Sequence, residues 1–262
     1  MSDAPFRVVI PARYASSRLP AKPLADLGGA PMIVRVLERA QRSGAREVIV
    51  ATDDERVRDA VLAAGGDARM TGAEHASGTD RIAQVATEAG WPDDAIVVNL
   101  QGDEPLLPAE LPGQLADALA SHPSAGIATM VVPIEGPEEL FTPSAVKAML
   151  DDEGFALTFS RAPIPWARDA FADGQPATLP PGVPFLRHLG LYAYRVGTLT
   201  AMAAAPASAI ERAESLEQLR ALSRGVRIHC TVLDHAPPPG IDTPEDLARV
   251  RQGLASGAIA FG

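Results

Sequence analysis

One cysteine, Cys230, stands in a chain of 262 residues, so no disulfide can close within it. That scarcity excludes a disulfide-stapled scaffold and fits a reducing compartment. Aromatic residues make up only 5%, so a core must be built mainly from Ala, Val, Leu and Ile. Basic residues are outnumbered, 23 Lys and Arg against 33 Asp and Glu, for a net charge of −10. Such a balance argues against a nucleic-acid partner or an anionic membrane surface. No apolar run is long enough to span a bilayer without a charge; the stretch after Leu189 is broken by Arg195. The segment Met1 to Pro5 shows no basic region leading into an apolar one, so no secretory signal is expected and a cytoplasmic location follows. The pattern G-x-x-x-x-G-K-[ST] is also missing, which excludes the ordinary P-loop ATPase.

What is present is an alternation of short β-branched runs with amphipathic segments. Strands are expected at Phe6 to Pro11, Glu47 to Ala51, Ala68 to Met70 and Ala95 to Leu100. Helices are expected at Pro31 to Arg42, Glu55 to Ala64 and Thr79 to Ala89, the first with Ile33, Val36, Leu37 and Ala40 on one face. This rhythm predicts an α/β fold, a mostly parallel twisted sheet with helices on both faces. The second half breaks it. Ala125 to Pro133 reads as a strand, Ala145 to Leu150 and Phe155 to Phe159 as a hairpin, and Leu186 to Tyr194 as an antiparallel or edge strand. Glu211 to Leu222 reads as one helix, Arg227 to Leu233 as a strand and Pro244 to Arg251 as the last helix. A proline-rich irregular stretch runs from Arg161 to Pro184, and such loops are usually functional or mobile. One domain over 1–262 is expected, with 159–195 as an insertion into a nucleotide-binding core.

Three places carry chemistry. The run Val8-Val9-Ile10 ends in Pro11-Ala12-Arg13, and a loop of small residues follows with Arg18 and Lys22. A loop at the carboxyl end of a parallel strand is where open α/β sheets bind ligands. Small side chains let backbone amides approach phosphates, which the cations neutralise. Ala95 to Leu100 suits a strand buried on both faces, and Gln101-Gly102-Asp103-Glu104 follows it directly. Asp103 is therefore placed for a magnesium ion, which prefers one or two carboxylates together with phosphates. Asp242 lies just before Thr243-Pro244-Glu245-Asp246, a capping-box helix start, and is the candidate second carboxylate. Singly, the cations read as solvated charges, Asp103 as a turn former and Asp242 as an accessory cap; the small-residue loop after a strand and the two carboxylates at strand-to-helix crevices together favour a phosphate and magnesium site.

The segments I-P-A-R-Y-A-S-S-R-L-P-A-K-P-L, V-N-L-Q-G-D-E-P, F-S-R-A-P-I-P-W, F-L-R-H-L-G-L-Y-A-Y-R and I-D-T-P-E-D-L, in this order and spacing, closely resemble the bacterial 3-deoxy-manno-octulosonate (Kdo) cytidylyltransferases. The resemblance runs from about Arg7 to Arg251. It implies CTP and Kdo as substrates, Mg2+ as cofactor, a homodimer, and a role in supplying Kdo for lipopolysaccharide. It implies that Pro11, Ala12, Arg13, Ser16, Lys22, Ser77, Arg81 and Gln101 contact the nucleotide. Lys22, Asp103 and Asp242 would be catalytic, the two carboxylates holding the metal. Arg161, His188, Tyr192, Glu214 and Gln218 would bind the acid sugar. On one strand His188, Gly190 and Tyr192 share a face while Arg187 points the other way, which favours His188 and Tyr192. Ala167 and Pro163 depart from the family pattern near Trp166 and touch on the fine specificity of the sugar pocket. A cytidylyltransferase for a related acid sugar, such as amino-Kdo or sialic acid, is the nearest alternative. A glycosyltransferase would usually carry an Asp-x-Asp motif, which Asp103 lacks. A non-catalytic nucleotide sensor would not need the full set of cations and carboxylates.

Overall fold

The computed structural model describes residues 4–15, 18–75 and 77–261. In chain order the elements are β1 (Phe6–Ala12), a 3-10 turn (Lys22–Leu24), α1 (Met32–Gln41), β2 (Glu47–Thr52), α2 (Glu55–Ala63), β3 (Asp67–Met70), α3 (Gly78–Glu88), β4 (Ile96–Asn99) and α4 (Leu111–Ser121). They continue with β5 (Ala125–Pro133), α5 (Pro137–Phe141), β6 (Lys147–Leu150), β7 (Ala156–Ser160), β8 (Leu186–Arg195), α6 (Val196–Ala203), α7 (Ala209–Glu214), α8 (Gln218–Ser223), β9 (Arg227–Val232) and α9 (Pro244–Ser256). β1 pairs in parallel with β2 and β4, β2 with β3, and β5 with β9, while β6 pairs antiparallel with β7 and β8, the mostly parallel α/β class that the alternation predicts.

The chain divides into two compact units, one of Met1–Asp117, Ala193–Ala203 and Pro237–Gly262, the other of Ala118–Tyr192 and Ala204–Ala236. Within the first, the strands run β3-β2-β1-β4, all parallel. The chain fills this sheet outward from β1 on one side and then returns to the other side of β1 at β4. The carboxyl ends of β1 and β4 therefore flank a point where strand order reverses, the place open parallel sheets use for ligands. Val8, Val9, Ile10, Val97 and Val98 are fully buried, as strands covered on both faces require. The helix starts follow local signals. Asp54 accepts from the Arg56 amide at 2.9 Å, and Ser77 and Thr243 form capping boxes with Asp80 and Asp246.

In the second unit β5 pairs in parallel with β9, and β6 pairs antiparallel with both β7 and β8. The 159–195 stretch belongs here up to Tyr192. Lys147 is buried on β6 and donates to the carbonyls of Ala145 at 2.6 Å, Thr142 at 3.0 Å and Arg161 at 2.5 Å, which ties the start of the irregular stretch to the sheet. Burial pulls the Lys147 ammonium below its usual range.

Two features depart from the sequence reading. The single helix expected over Glu211 to Leu222 is two helices, α7 and α8, because Ser215 closes the first in the left-handed region at φ 51°. Glu214 and Gln218 therefore do not stand one turn apart on a common face. The helices α4, α5 and α6 were not foreseen. Leu111-Pro112-Gly113 reads as a turn, and V-G-T-L-T-A-M-A offers no polar face by which to recognise a helix. β8 extends through Arg195 and is antiparallel to β6, as one of the two options allowed.

Candidate active site

A small hydrophobic cluster decides where the polar groups go. Leu19 and Leu27 of the loop after β1 pack with Met32, Ile241, Leu247 and Val250. Ile241 is completely buried, and its amide donates to the Asp103 carbonyl at 2.9 Å. The loop carrying Lys22, the end of β4 carrying Asp103 and the approach to α9 carrying Asp242 are thus drawn together by one apolar contact set. Burying these apolar side chains, each contributing about 1.5–3 kcal/mol when fully withdrawn from water, anchors the three segments that carry the charges.

The result is a cavity of about 710 Å³ lined by Pro11, Ala12, Arg13, Ala15, Arg18, Lys22, Pro23, Gln101, Gly102, Asp103 and Asp242. Lys22 Nζ donates to Asp103 Oδ2 at 2.6 Å and to Asp242 Oδ1 at 2.8 Å. Arg18 Nη2 reaches the same Asp242 oxygen at 3.0 Å. Asp246 Oδ2 accepts from the amides of Asp242 and Thr243, each at 3.1 Å, which fixes the backbone that presents Asp242. Bonds from Arg249 and from this cap hold the Asp246 carboxyl down at about 2. Glu104, next to the pair, is pushed up to about 7 by burial, with the charges of Asp103 and Asp242 adding to the rise and Lys22 opposing it.

Two carboxylates converging on one ammonium are also a pair able to hold a divalent cation. Among the described residues no group of three or more His, Cys, Asp or Glu side chains is arranged for a metal. The pair suits an ion that draws its remaining ligands from phosphate and water, as magnesium does, and not one enclosed by protein alone.

The floor of the cavity needs close backbone approach. A Cβ on Gly102 would stand 3.0 Å from the Pro11 carbonyl oxygen, and one on Gly78 would stand 3.1 Å from Pro11 Cγ. Gly78 opens α3, so the first turn of that helix lies against the end of β1, beside Gln101. Gln101 donates to Asn99 Oδ1 at 3.3 Å.

Of the predicted nucleotide contacts, Pro11, Ala12, Arg13, Lys22 and Gln101 line the cavity together with Asp103 and Asp242. Ser77 sits at the α3 start as its cap. Ser16 lies outside the described residues. Arg81 does not line the cavity. Its guanidinium is fully buried, donating to Asp53 Oδ2 at 2.8 Å and to Thr71 Oγ1. Asp53 and Thr71 went unnoticed in the sequence, where nothing local pairs them with Arg81.

The five predicted sugar residues all fall in the second unit. His188 approaches Thr129 Oγ1 at 2.9 Å and packs its ring against Phe159 and Tyr192, with centroids 4.9 and 5.2 Å away. Burial drives the His188 imidazole down to about 3, so it is neutral. Glu214 accepts from Ser160 Oγ at 2.6 Å and the Arg161 amide at 2.9 Å, bonds that lower its carboxyl below the usual range. The Arg161 guanidinium donates to the carbonyls of Glu214 at 2.7 Å and Pro143 at 3.0 Å. Gln218 is buried at the start of α8. Arg187 is held by Glu139 at 2.6 Å, and both line a recess of about 470 Å³ with Ser144, His188 and Gly190.

A family model described as Cytidylyltransferase matches residues 7–228. A 3-deoxy-manno-octulosonate cytidylyltransferase of Hahella chejuensis (strain KCTC 2396) is 55% identical over 250 residues, covering 95% of this chain and 98% of that protein. The solved structure of CMP:2-keto-3-deoxy-manno-octonic acid synthetase complexed with CTP superposes with a TM-score of 0.86 at 42% identity, over 97% of this chain and 100% of the other. A cytidylyltransferase from Leptospira borgpetersenii serovar Hardjo-bovis (strain JB197) shares the fold at 16% identity, with a TM-score of 0.60 over 97% of this chain and 88% of the other. With its lysine and paired carboxylates at the reversal point of a parallel sheet, and with relatives matched over nearly its whole length, this chain belongs to the cytidylyltransferase family, among the 3-deoxy-manno-octulosonate cytidylyltransferases.

Proposed function

We propose that this protein joins CTP to Kdo, forming CMP-Kdo and pyrophosphate. The observation that carries the reading is the meeting of Lys22, Asp103 and Asp242 in one cavity at the carboxyl ends of β1 and β4. The anomeric oxygen of the sugar attacks the α-phosphorus in line and gives up its proton to solvent, the bond from the α-phosphorus to the α–β bridging oxygen breaks, and pyrophosphate leaves. Little covalent chemistry falls to the protein in such a displacement, so positioning and charge complementarity dominate. Arg13, Arg18 and Lys22 receive the triphosphate and offset its charge. Gln101 and the α3 start with Ser77 bound the nucleoside side. Magnesium held by Asp103 and Asp242 supplies further neutralisation of the phosphates when bound.

Arg161, His188, Tyr192, Glu214 and Gln218 are assigned to the acid sugar. Their gathering in one unit supports this, as does the neutral His188, which can exchange hydrogen bonds with a hydroxyl without carrying charge. The 159–195 stretch is assigned to the sugar pocket and to contact between two copies in a homodimer, with exposed Leu157 and Trp166 on the same unit in support. A cytoplasmic location accompanies the reading. Cys230 is buried with its thiol pushed up to about 12, an inert group suited to a reducing compartment. No helix among the described residues is long and apolar enough to cross a membrane.

The test is to incubate the protein with CTP, Kdo and magnesium and to follow pyrophosphate and CMP-sugar together. Both products should form in equal amounts and vanish when sugar or metal is withheld. Equal or faster turnover with sialic acid or amino-Kdo would move the assignment to that sugar. CTP binding without either product, with Kdo, amino-Kdo or sialic acid present in turn, would refute the transferase reading.

A further inference from the structure

One ammonium closes both acidic side chains of the site. Lys22 Nζ lies 2.6 Å from Asp103 Oδ2 and 2.8 Å from Asp242 Oδ1, and the lysine side chain is only 12% exposed. The ammonium is largely covered while the Asp103 and Asp242 carboxylates stay open to solvent, so a cation can reach their oxygens. The backbone of the lysine is anchored: Pro23 behind it is buried, and the turn bond from the Leu24 amide to Ala21 O measures 2.9 Å. Its four-carbon stem is not so constrained, and an ammonium is a point charge that can change partners by rotation.

A divalent cation bridging Asp103 Oδ2 and Asp242 Oδ1 would compete with that ammonium at both oxygens, and with the exposed Arg18 at the second alone. If the cation binds, Lys22 must leave, and a partly buried ammonium that leaves its carboxylates needs another anion. The phosphates of a nucleotide in the adjoining loop supply one. We infer that Lys22 exchanges between Asp103 and Asp242 on one side and the nucleotide phosphates on the other, and that this exchange couples the binding of divalent cation and CTP. Without nucleotide the lysine opposes the cation; with nucleotide it becomes a phosphate ligand and the carboxylates are released. Because linkage is reciprocal, the cation favours CTP by the factor with which CTP favours the cation. The inference rests on the reading of Asp103 and Asp242 as cation ligands.

The consequence runs against simple site loss: removing Lys22 should strengthen binding of the bare cation. Manganese binding, without nucleotide, is measured by the loss of the free-ion electron paramagnetic resonance signal for the wild type, Lys22→Met and Lys22→Gln. Circular dichroism checks that each variant is folded, and the two substitutions guard against a defect peculiar to one. Both variants should bind manganese about tenfold more tightly than the wild type, about 1.4 kcal/mol, while their affinity for CTP falls. Adding Asp103→Asn to either variant should abolish the gain. If both variants bind manganese no better than the wild type, while Asp103→Asn weakens it, the exchange is refuted and the carboxylate site stands. If Asp103→Asn and Asp242→Asn leave manganese binding unchanged in every background, the carboxylate reading fails and the inference falls with it.

Discussion

The Arg81 guanidinium and the Asp53 carboxylate meet at 2.8 Å, with the arginine side chain fully withdrawn from solvent. Thr71 takes a second guanidinium nitrogen. The three residues come from the loop after β2, the segment after β3 and the first turns of α3, so one arginine gathers three segments at the carboxyl side of the sheet. A Cβ on Gly78, a turn earlier in α3, would stand 3.1 Å from Pro11 Cγ and 4.0 Å from Gln101 Oε1, so the start of the helix lies close to both residues. Arg81 thus fixes α3, whose start lies beside Pro11 and Gln101 of the cavity.

Removing the acid should therefore cost more than removing both partners. Asp53→Asn leaves a buried arginine without its counter-charge and should lower unfolding stability by about 3–5 kcal/mol, while the double change Asp53→Asn with Arg81→Met should recover part of that loss. Urea denaturation of the four proteins closes the cycle. In Arg81→Lys the KM for CTP should rise more than kcat falls, because a lysine cannot hold two partners at fixed angles. Equal stability of Asp53→Asn and the wild type would show the pair to be idle.

Ala21 adopts the left-handed conformation at φ 55°, ψ 28°, directly before Lys22. A β-branched residue is a true outlier there, whereas glycine is at ease. Ala21→Gly should leave CTP turnover near wild type and change stability by no more than about 1 kcal/mol. Ala21→Val should turn the lysine away from Asp103 and Asp242 and depress kcat/KM by about tenfold or more. Steady-state kinetics with both variants decides whether this backbone conformation sets the position of Lys22.

The first half of the fold was legible because its signals are local. Asp54 and Ser77 cap their helices through their own neighbours, as Thr243 does for the last helix, and the β-branched runs of β1, β2 and β4 announce buried parallel strands. Lys22, Asp103 and Asp242 were legible because each sits at a strand end or a helix start. What escaped depended on distant partners. The break at Ser215 is sustained by Glu211 of α7 pairing with Arg220 of α8, at 2.5 and 2.9 Å, and nothing in Glu-Ser-Leu-Glu-Gln foretells a left-handed serine. Arg81 looked available from its place early in α3, and only the fold brings Asp53 and Thr71 around it. The Lys22 bridge was equally hidden, since it needs the Ile241 and Leu19 packing that draws its partners together.

Gly102 offers a steric test of that packing. A Cβ there would stand 3.0 Å from the Pro11 carbonyl oxygen and 3.5 Å from Ala12 Cβ. The obstacle is backbone, so relief requires the end of β1 and the Gln101–Asp103 loop to separate by a few tenths of an ångström. Gly102→Ala should keep its circular dichroism spectrum but lose about tenfold in kcat/KM for CTP, as small misplacements of reacting groups do. Unchanged kinetics would mean that this edge of the cavity tolerates displacement.

His188 predicts how stability responds to acid. The folded protein keeps the imidazole neutral, its value driven to about 3 by burial, whereas in the unfolded chain it takes up a proton near 6.5. Between these limits the unfolded state binds more protons, so stability rises with pH and is lost as pH falls through 6.5 towards 3. At pH 5 this one group should have removed about 2 kcal/mol relative to pH 7.5. Burial and the stacked ring of His122 lower His229 as well, so it adds a loss of the same sign. Replacing His188 by Gln retains a polar partner for Thr129 but cannot titrate. Urea unfolding at pH 7.5, 6 and 5 should therefore show His188→Gln less stable than the wild type at the highest pH, with a shallower fall on acidification. The remaining slope should be that of His229 and the surface carboxylates. If the two curves run parallel, the folded protein accommodates a protonated His188, and its burial beside Thr129, Phe159 and Tyr192 does not set the acid limit of the fold.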